Sequence, residues 1–464
     1  MKNTSYKKYS SGTFTSLLLF LFLSASLFFS CTSTAARRVV LGNEQTESYL
    51  PILKGKRIAL LSNHTGIVGD KIILADGSVH YGGNDIYGKG DAGSLIHFGM
   101  DEKGRAISYG EHILDALLEK GVNVTAIFCP EHGFRGTEDA GAHIANSIDE
   151  KTGVPILSLY ENDSTHAPSA ESMSKFDTLV VDMQDVGLRY YTYYIALYYL
   201  MDACASQGKS VVIFDRPNPN GFYVDGGLLQ SEYESGVGRL PLPTVHGMTW
   251  GELARMINGE GWLTTGKNSC DVTVIPCKNY THSTHYALIR APSPNIKDMR
   301  SVYLYASTCY FENTIVSVGR GTNFPFEVYG SPYFDGIAGN TFQFTPQSIP
   351  GATNPPFLGK TCYGNDLRTK PIETIWKEKS NLSYLINAWK DAKTVLAEKN
   401  QAERSAAFWG RFSDGRYWID LLSGSEKLRE KIEAGSSAEE IKETWVSDIA
   451  QFKKQRKPYL LYKE

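Results

Sequence analysis

Short apolar runs recur along the chain, and each gives way to a polar cluster. Arg57–Ser62, Val122–Cys129, Val154–Tyr160, Thr178–Met183, Ser210–Phe214 and Val272–Pro276 are aliphatic and partly β-branched, which predicts buried strands. Apolar residues at helical spacing lie between them. Gly110–Lys120 stops at Gly121, a residue suited to the position after a helix. Tyr191–Ala205 carries Ile195, Leu197, Leu200 and Met201 inside a predicted helix. Met248–Ile257 opens with Thr249 as N-cap and Glu252 three residues on, a capping box. Strands alternating with helices at this spacing predict βαβ units and a mostly parallel sheet. The pattern changes around Ala291–Asn295, so a domain boundary is expected near Tyr286. Beyond it, Leu382–Glu398 and Ser437–Lys453 read as amphipathic scaffold helices, the second opened by the box Ser437…Glu440.

The chemistry is expected where the strands end. In open parallel sheets, ligands bind beyond the carboxyl ends of the strands. Asn63-His64, Glu131-His132, Asp182…Asp185…Arg189 and Asp215-Arg216 would all face one rim. A single polar turn is ordinary surface, whereas recurrence on one edge makes a pocket. Glu131 follows Cys129-Pro130, an apolar setting that would raise its pKa and suit a general acid. His132 and Arg135 share its turn. Asp182, Asp185 or Glu312 could be the partner carboxylate, although Asp182 equally suits a buried structural acid. Val302–Glu327, with Glu312, Asn313, Thr314 and Arg320, forms a second polar wall. Arg189 and Arg320 are either bidentate anion clamps or members of structural ion pairs. Gly319 and Gly321 beside Arg320 would let a ligand approach the backbone. Tyr191, Asp215, His64 and His246 complete the substrate-binding set. The histidines show no HExxH or HxH spacing, so hydrogen bonds to substrate hydroxyls are expected rather than a metal. No GxSxG elbow occurs, and Cys129 reads as a buried strand residue. No GxGxxG or GxxxxGK[ST] follows a strand, so neither a nucleotide nor another cofactor is indicated.

Composition changes the picture in three places. Over 464 residues, 42% are hydrophobic and 21% charged, and the net charge of −3 gives no reason to expect nucleic acid. The 27 tyrosines suit sugar-lined grooves, where rings stack on apolar faces and hydroxyls take hydrogen bonds. At the N-terminus, Lys2, Lys7 and Lys8 precede the apolar core Leu17–Phe29 and then Ser30-Cys31. Residues 1–31 therefore read as a lipoprotein signal with Cys31 as the lipidated residue, or as a simple secretory signal. Either way the protein is expected outside the cytoplasm, in the periplasm or cell envelope, with residues 32–48 as a tether. Cys270 and Cys277 could bridge a local loop, while the absence of CxxC argues against structural zinc. Lys71–Ala106, with eight glycines from Gly77 to Gly104, reads as a long loop or small flap.

Six motifs then appear in order: PEHGFRG at 130–136, VDMQDVGLRYYTY at 181–193, DRPNP at 215–219, HGMTWGELA at 246–254, PSPN at 292–295 and ENTIVSVGRGTNFPFEVYGSP at 312–332. Together they resemble the NamZ-type exo-β-N-acetylmuramidases, from Lys56 to the C-terminus. The resemblance implies an α/β fold: a Rossmann-like, mostly parallel sheet domain over 49–286, a smaller α/β domain over 287–464, and an active site in the cleft between. It implies release of N-acetylmuramic acid from the non-reducing end of peptidoglycan fragments, with Glu131 matching the glutamate of the family's EHG motif. MurNAc-GlcNAc fragments would be the partner, and Arg189 and Arg320 would meet the lactyl carboxylate. Two features depart from the family. The glycine-rich segment is longer, and the usual EGTN stretch reads Glu312-Asn313-Thr314-Ile315. Two other classes remain open at this point, a non-catalytic muropeptide-binding envelope protein and a metal-dependent hydrolase such as an amidase. Oligomeric state is not legible.

Overall fold

The aliphatic runs become the strands of one central sheet. They are β1 (Ile58–Ser62), β2 (Val124–Phe128), β3 (Ser147–Ile148), β4 (Pro155–Leu157), β5 (Thr178–Asp182), β6 (Ser210–Phe214) and β7 (Asp271–Ile275). The structure, a computed structural model, describes residues 38–74, 76–81, 107–130, 134, 146–159, 168–265 and 269–464. The spatial order is β7-β6-β5-β1-β2-β4-β3, and every pair is parallel except β3–β4. Strands β1 and β5 are buried along their whole length, as continuous aliphatic runs require in a sheet covered on both faces. The chain runs outward from β1 through β2 to β4 on one side. It then resumes at β5 and runs outward through β6 to β7 on the other. The order reverses between β1 and β5, so a crevice is set above their carboxyl ends.

The helices form where capping and periodicity placed them. Tyr193–Ser206 is buried along most of its length. Trp250–Gly259 starts with the predicted box: Thr249 accepts from the Glu252 amide, and Glu252 accepts from the Thr249 amide at 3.0 Å. Ile113–Glu119 ends before Gly121, whose φ is 73°. The expected Ser437–Lys453 helix is two, Ala438–Glu443 and Val446–Arg456. Thr444 turns its hydroxyl back onto the Ile441 carbonyl at 2.6 Å where the first one stops.

Two expectations need correction. The tether does not extend to residue 48. Val40 pairs with Lys278, Gly42–Glu44 is a 3-10 turn, and Thr46–Leu53 is a helix. Leu41 and Asn43 are buried, and Asn43 donates to Asp182 Oδ2 at 2.9 Å. The glycine-rich stretch begins and ends in a small antiparallel sheet of Lys71–Ile73, Val79–Tyr81 and Ser108–Tyr109, while residues 82–106 lie outside the described residues. The expected boundary near Tyr286 does not separate two cores. One hydrophobic cluster runs from Val39 to Tyr462, and Arg38–Glu464 is a single compact unit. The second part still has its own antiparallel sheet, Val328–Ser331, Cys362–Asp366 and Phe342–Phe344, with helices around it. Residues 1–37, with the expected signal and Cys31, lie outside the described residues. Among the described residues no helix is long and apolar enough to cross a membrane.

The C-terminal tail stitches the strand ends together. The Tyr462 hydroxyl donates to Asp215 Oδ2 at 2.6 Å and accepts from the Cys277 amide at 2.9 Å. The Leu461 amide donates to Glu252 Oε1 at 2.8 Å, and the His282 ring meets the same oxygen at 3.0 Å. Tyr462→Phe removes one donor from a fully buried carboxyl, so a loss of about 1–3 kcal/mol is expected. Urea unfolding reads this directly, and an unchanged midpoint would show that the tail contributes nothing to holding Asp215.

Candidate active site

At the switch point the loops after β1 and β5 are tied to each other. Ser62 Oγ donates to the Asp182 carbonyl at 2.6 Å, and the Gln184 amide donates to Thr65 Oγ1 at 3.0 Å. Thr65 is held in turn by Asn63 Oδ1, which takes its amide and its hydroxyl. Asp182 is an anchor: Arg216 Nε donates to it at 2.7 Å, opposite Asn43. Above these loops lies the segment Ala291–Asn295. His64 Nε2 meets the Ala291 carbonyl at 2.8 Å. The hydroxyls of Tyr191 and Tyr193 donate to the Pro292 carbonyl at 2.7 and 3.2 Å. His64 and Tyr191 thus both hold the PSPN segment, while Asp185 lines a small pocket with Gln184, Arg216 and Trp250.

Asp185 is buried there. Trp250 Nε1 donates to one of its oxygens and the Val186 amide to the other, both at 2.6 Å. Burial pushes its carboxyl up from 3.8 to about 6 against these donors. Between about 4 and about 6 the folded state holds this proton and the unfolded chain does not. Asp185 thus makes stability fall as pH rises through that window, by up to about 3 kcal/mol. Asp185→Asn should flatten the pH dependence of urea stability over that range relative to the parent protein. Parallel curves would show that the carboxyl titrates normally.

Strand β2 leads into the PEHGFRG motif. Phe128, Cys129 and Pro130 are buried. Glu131, His132 and Arg135 lie outside the described residues. Phe134 is buried and set edge-on to the His112 ring, with centroids 4.9 Å apart. His112 Nε2 meets the Asn63 carbonyl at 2.8 Å, and its Nδ1 accepts from the Leu114 amide. Phe134 is thus joined through His112 to the loop after β1. The sequence did not single out His112. Its signal was weak, a histidine in the N-cap position before the Ile113–Glu119 helix. Trp250 was missed for a similar reason, since it reads as a plain helix residue.

Several predicted site residues are placed elsewhere. Arg189 is fully buried and gives its guanidinium to backbone carbonyls: Gly227 at 2.8 Å, Leu242, and Leu422 at 2.9 Å. It is a structural hub and not an anion clamp. Burial lowers its pKa without a carboxylate to oppose it. His246 is likewise inaccessible. Its Nδ1 accepts from the Met248 amide at 3.2 Å, and burial with Arg456 nearby holds it down to about 3, so it is neutral. Asp215 accepts from Thr249 Oγ1 at 2.7 Å, the Gly251 amide at 2.9 Å and Tyr462, which fixes a helix start rather than a substrate. Arg320 and Glu312 consume each other. Nε and Nη2 both reach Glu312 Oε1, at 2.8 and 2.5 Å, and the guanidinium lies 5.0 Å from the Phe326 ring centroid. The glycine at 321 serves the chain itself: its φ is +82°, and a Cβ there would sit 2.5 Å from the Gln347 carbonyl oxygen. The six cysteines from Cys129 to Cys362 are buried and free, so Cys270 and Cys277 form no bridge. Burial pushes the Cys129 thiol up to about 12 and leaves it protonated. Among the described residues no group of three or more His, Cys, Asp and Glu could hold a metal ion.

Family models match both halves of the chain. Residues 101–300 match the N-terminal part of the exo-β-N-acetylmuramidase NamZ, and residues 303–462 match its C-terminal part. The chain belongs to this family. A peptidoglycan β-N-acetylmuramidase NamZ of Bacillus subtilis (strain 168) is 35% identical over 366 residues, 75% of this chain and 82% of that protein. A solved DUF1343 family protein from Bacteroides fragilis NCTC 9343 is 49% identical, with a TM-score of 0.73, covering 92% of this chain and 100% of that one. A second from the same source, 23% identical with a TM-score of 0.64 over 92% of this chain and 99% of its own, shares the fold. The junction between the two NamZ halves falls at 300–303, inside the buried helix Met299–Thr308. This helix belongs to the shared core.

Proposed function

We propose that the protein is an exo-acting glycosidase that releases N-acetylmuramic acid from the non-reducing end of peptidoglycan fragments. The observation that carries this reading is the match of both halves of the chain to the exo-β-N-acetylmuramidase models. The crevice at the β1–β5 switch point supplies the chemistry. Glu131, of the PEHGFRG motif, is the general acid and delivers its proton to the leaving glycosidic oxygen. The C1–oxygen bond breaks, and water supplies the hydroxyl at C1. Asp185 is the assisting carboxylate. Glu312, held by Arg320 through one oxygen, is the alternative. His64 and Tyr191 orient the sugar, with His132 and Arg135 from the acid's own motif. Export through the N-terminal signal, with a lipid anchor at Cys31, would place this activity in the envelope where peptidoglycan is.

A chromogenic N-acetylmuramic acid β-glycoside tests the reading. Release of the chromophore and of the free sugar is expected between about pH 4 and about pH 8, with or without chelator. Binding without release at any pH in that range would favour a muropeptide-binding envelope protein. Release abolished by chelator would favour a metal-dependent hydrolase.

A further inference from the structure

The two arginines expected to meet a carboxylate are committed to other partners, but Lys297 is not. It directly follows loop 291–296. That loop starts on His64 through the Ala291 carbonyl and passes over Tyr191 and Tyr193 through the Pro292 carbonyl. It then turns tightly, with the Ile296 amide donating to the Ser293 carbonyl at 3.1 Å. At its end the Lys297 ammonium donates to the Thr322 carbonyl at 3.1 Å, two residues from Arg320. The side chain is half-buried.

Among the described residues no carboxylate pairs with this ammonium. The adjacent Asp298 caps the helix that follows, accepting from the Ser301 amide at 2.8 Å. Glu312 is held by Arg320. A partly desolvated charge without a counter-charge is costly unless a ligand supplies one. Burial alone lowers the pKa of Lys297, with no opposing charge at work. The contrast with Arg189 is instructive. That cation is walled in by carbonyls, whereas Lys297 has one carbonyl and remains half open.

We infer that Lys297 is the specificity-determining residue that receives the ligand's carboxylate, here the lactyl carboxylate of N-acetylmuramic acid. The inference rests on the proposed substrate class and concerns binding, so it can be tested apart from hydrolysis. Titration calorimetry on the full protein compares three ligands, N-acetylmuramic acid, its lactyl methyl ester and N-acetylglucosamine. The parent protein should bind the acid roughly 10- to 100-fold tighter than the ester, the range of a charged hydrogen bond. Lys297→Met should remove that difference, leave N-acetylglucosamine binding unchanged, and keep or raise the melting temperature. Lys297→Arg should restore part of the preference. Three results would overturn the inference: equal losses on all three ligands, unchanged binding of the acid, or a parent protein that does not distinguish acid from ester. If the binding pattern holds while no glycoside is hydrolysed, the assignment of Lys297 stands and the hydrolytic reading fails.

Discussion

Glu131→Gln should lower kcat on a poor leaving group by at least about a hundredfold, the low end of what general acids contribute. Glutamine keeps the size and hydrogen-bonding shape of the side chain but has no proton to deliver. The melting temperature and ligand binding should therefore hardly change. A dinitrophenyl glycoside leaves without protonation, so the variant should recover much of its rate on that substrate. A structural role for Glu131 would not depend on the leaving group. Equal losses on good and poor leaving groups would remove Glu131 as the acid and move the role to Asp185.

Arg189→Ala should destabilise the protein by at least about 3 kcal/mol. The side chain is fully buried, and its loss strips donors from the carbonyls of Gly227, Leu242 and Leu422 while opening a cavity. Arg189→Lys should recover little, because one ammonium cannot reproduce a planar fork aimed at three carbonyls. Urea unfolding of both variants checks this. Near-parental stability combined with a raised KM for muramic acid substrates would instead restore the anion clamp.

The misreading of Arg189 shows where sequence reasoning stops. Gly187-Leu188-Arg189-Tyr190 follows a strand rich in acids, and an arginine there looks poised for an anion. Its partners are carbonyls from positions 227, 242 and 422, and a backbone carbonyl leaves no mark in a sequence. The same holds for residues 38–48. Their partners, Lys278 and Asp182, lie far along the chain, so the segment looks like a polar tether. By contrast, the strands and the Thr249…Glu252 box were legible because their signals are local: aliphatic runs and a hydroxyl three residues before an acid. The polar residues after β1 and β5 were legible for the same reason. What marks off Asp215 and His246 is the C-terminal segment, where Tyr462 bonds the Asp215 carboxyl and Arg456 the His246 carbonyl. Glu312 and Arg320 read as separate functional groups because an ion pair across eight residues of irregular chain has no periodicity to betray it.

The central claim is exo-hydrolysis from a muramic acid end. The most direct measurement is a product time course, by mass spectrometry, on a defined tetrasaccharide of two MurNAc-GlcNAc units. Free N-acetylmuramic acid and the matching trisaccharide should appear first and in equal amounts, and the same chain capped by N-acetylglucosamine at its non-reducing end should remain intact. Disaccharide as the first product, cleavage of the capped chain, or no sugar released at all would contradict it.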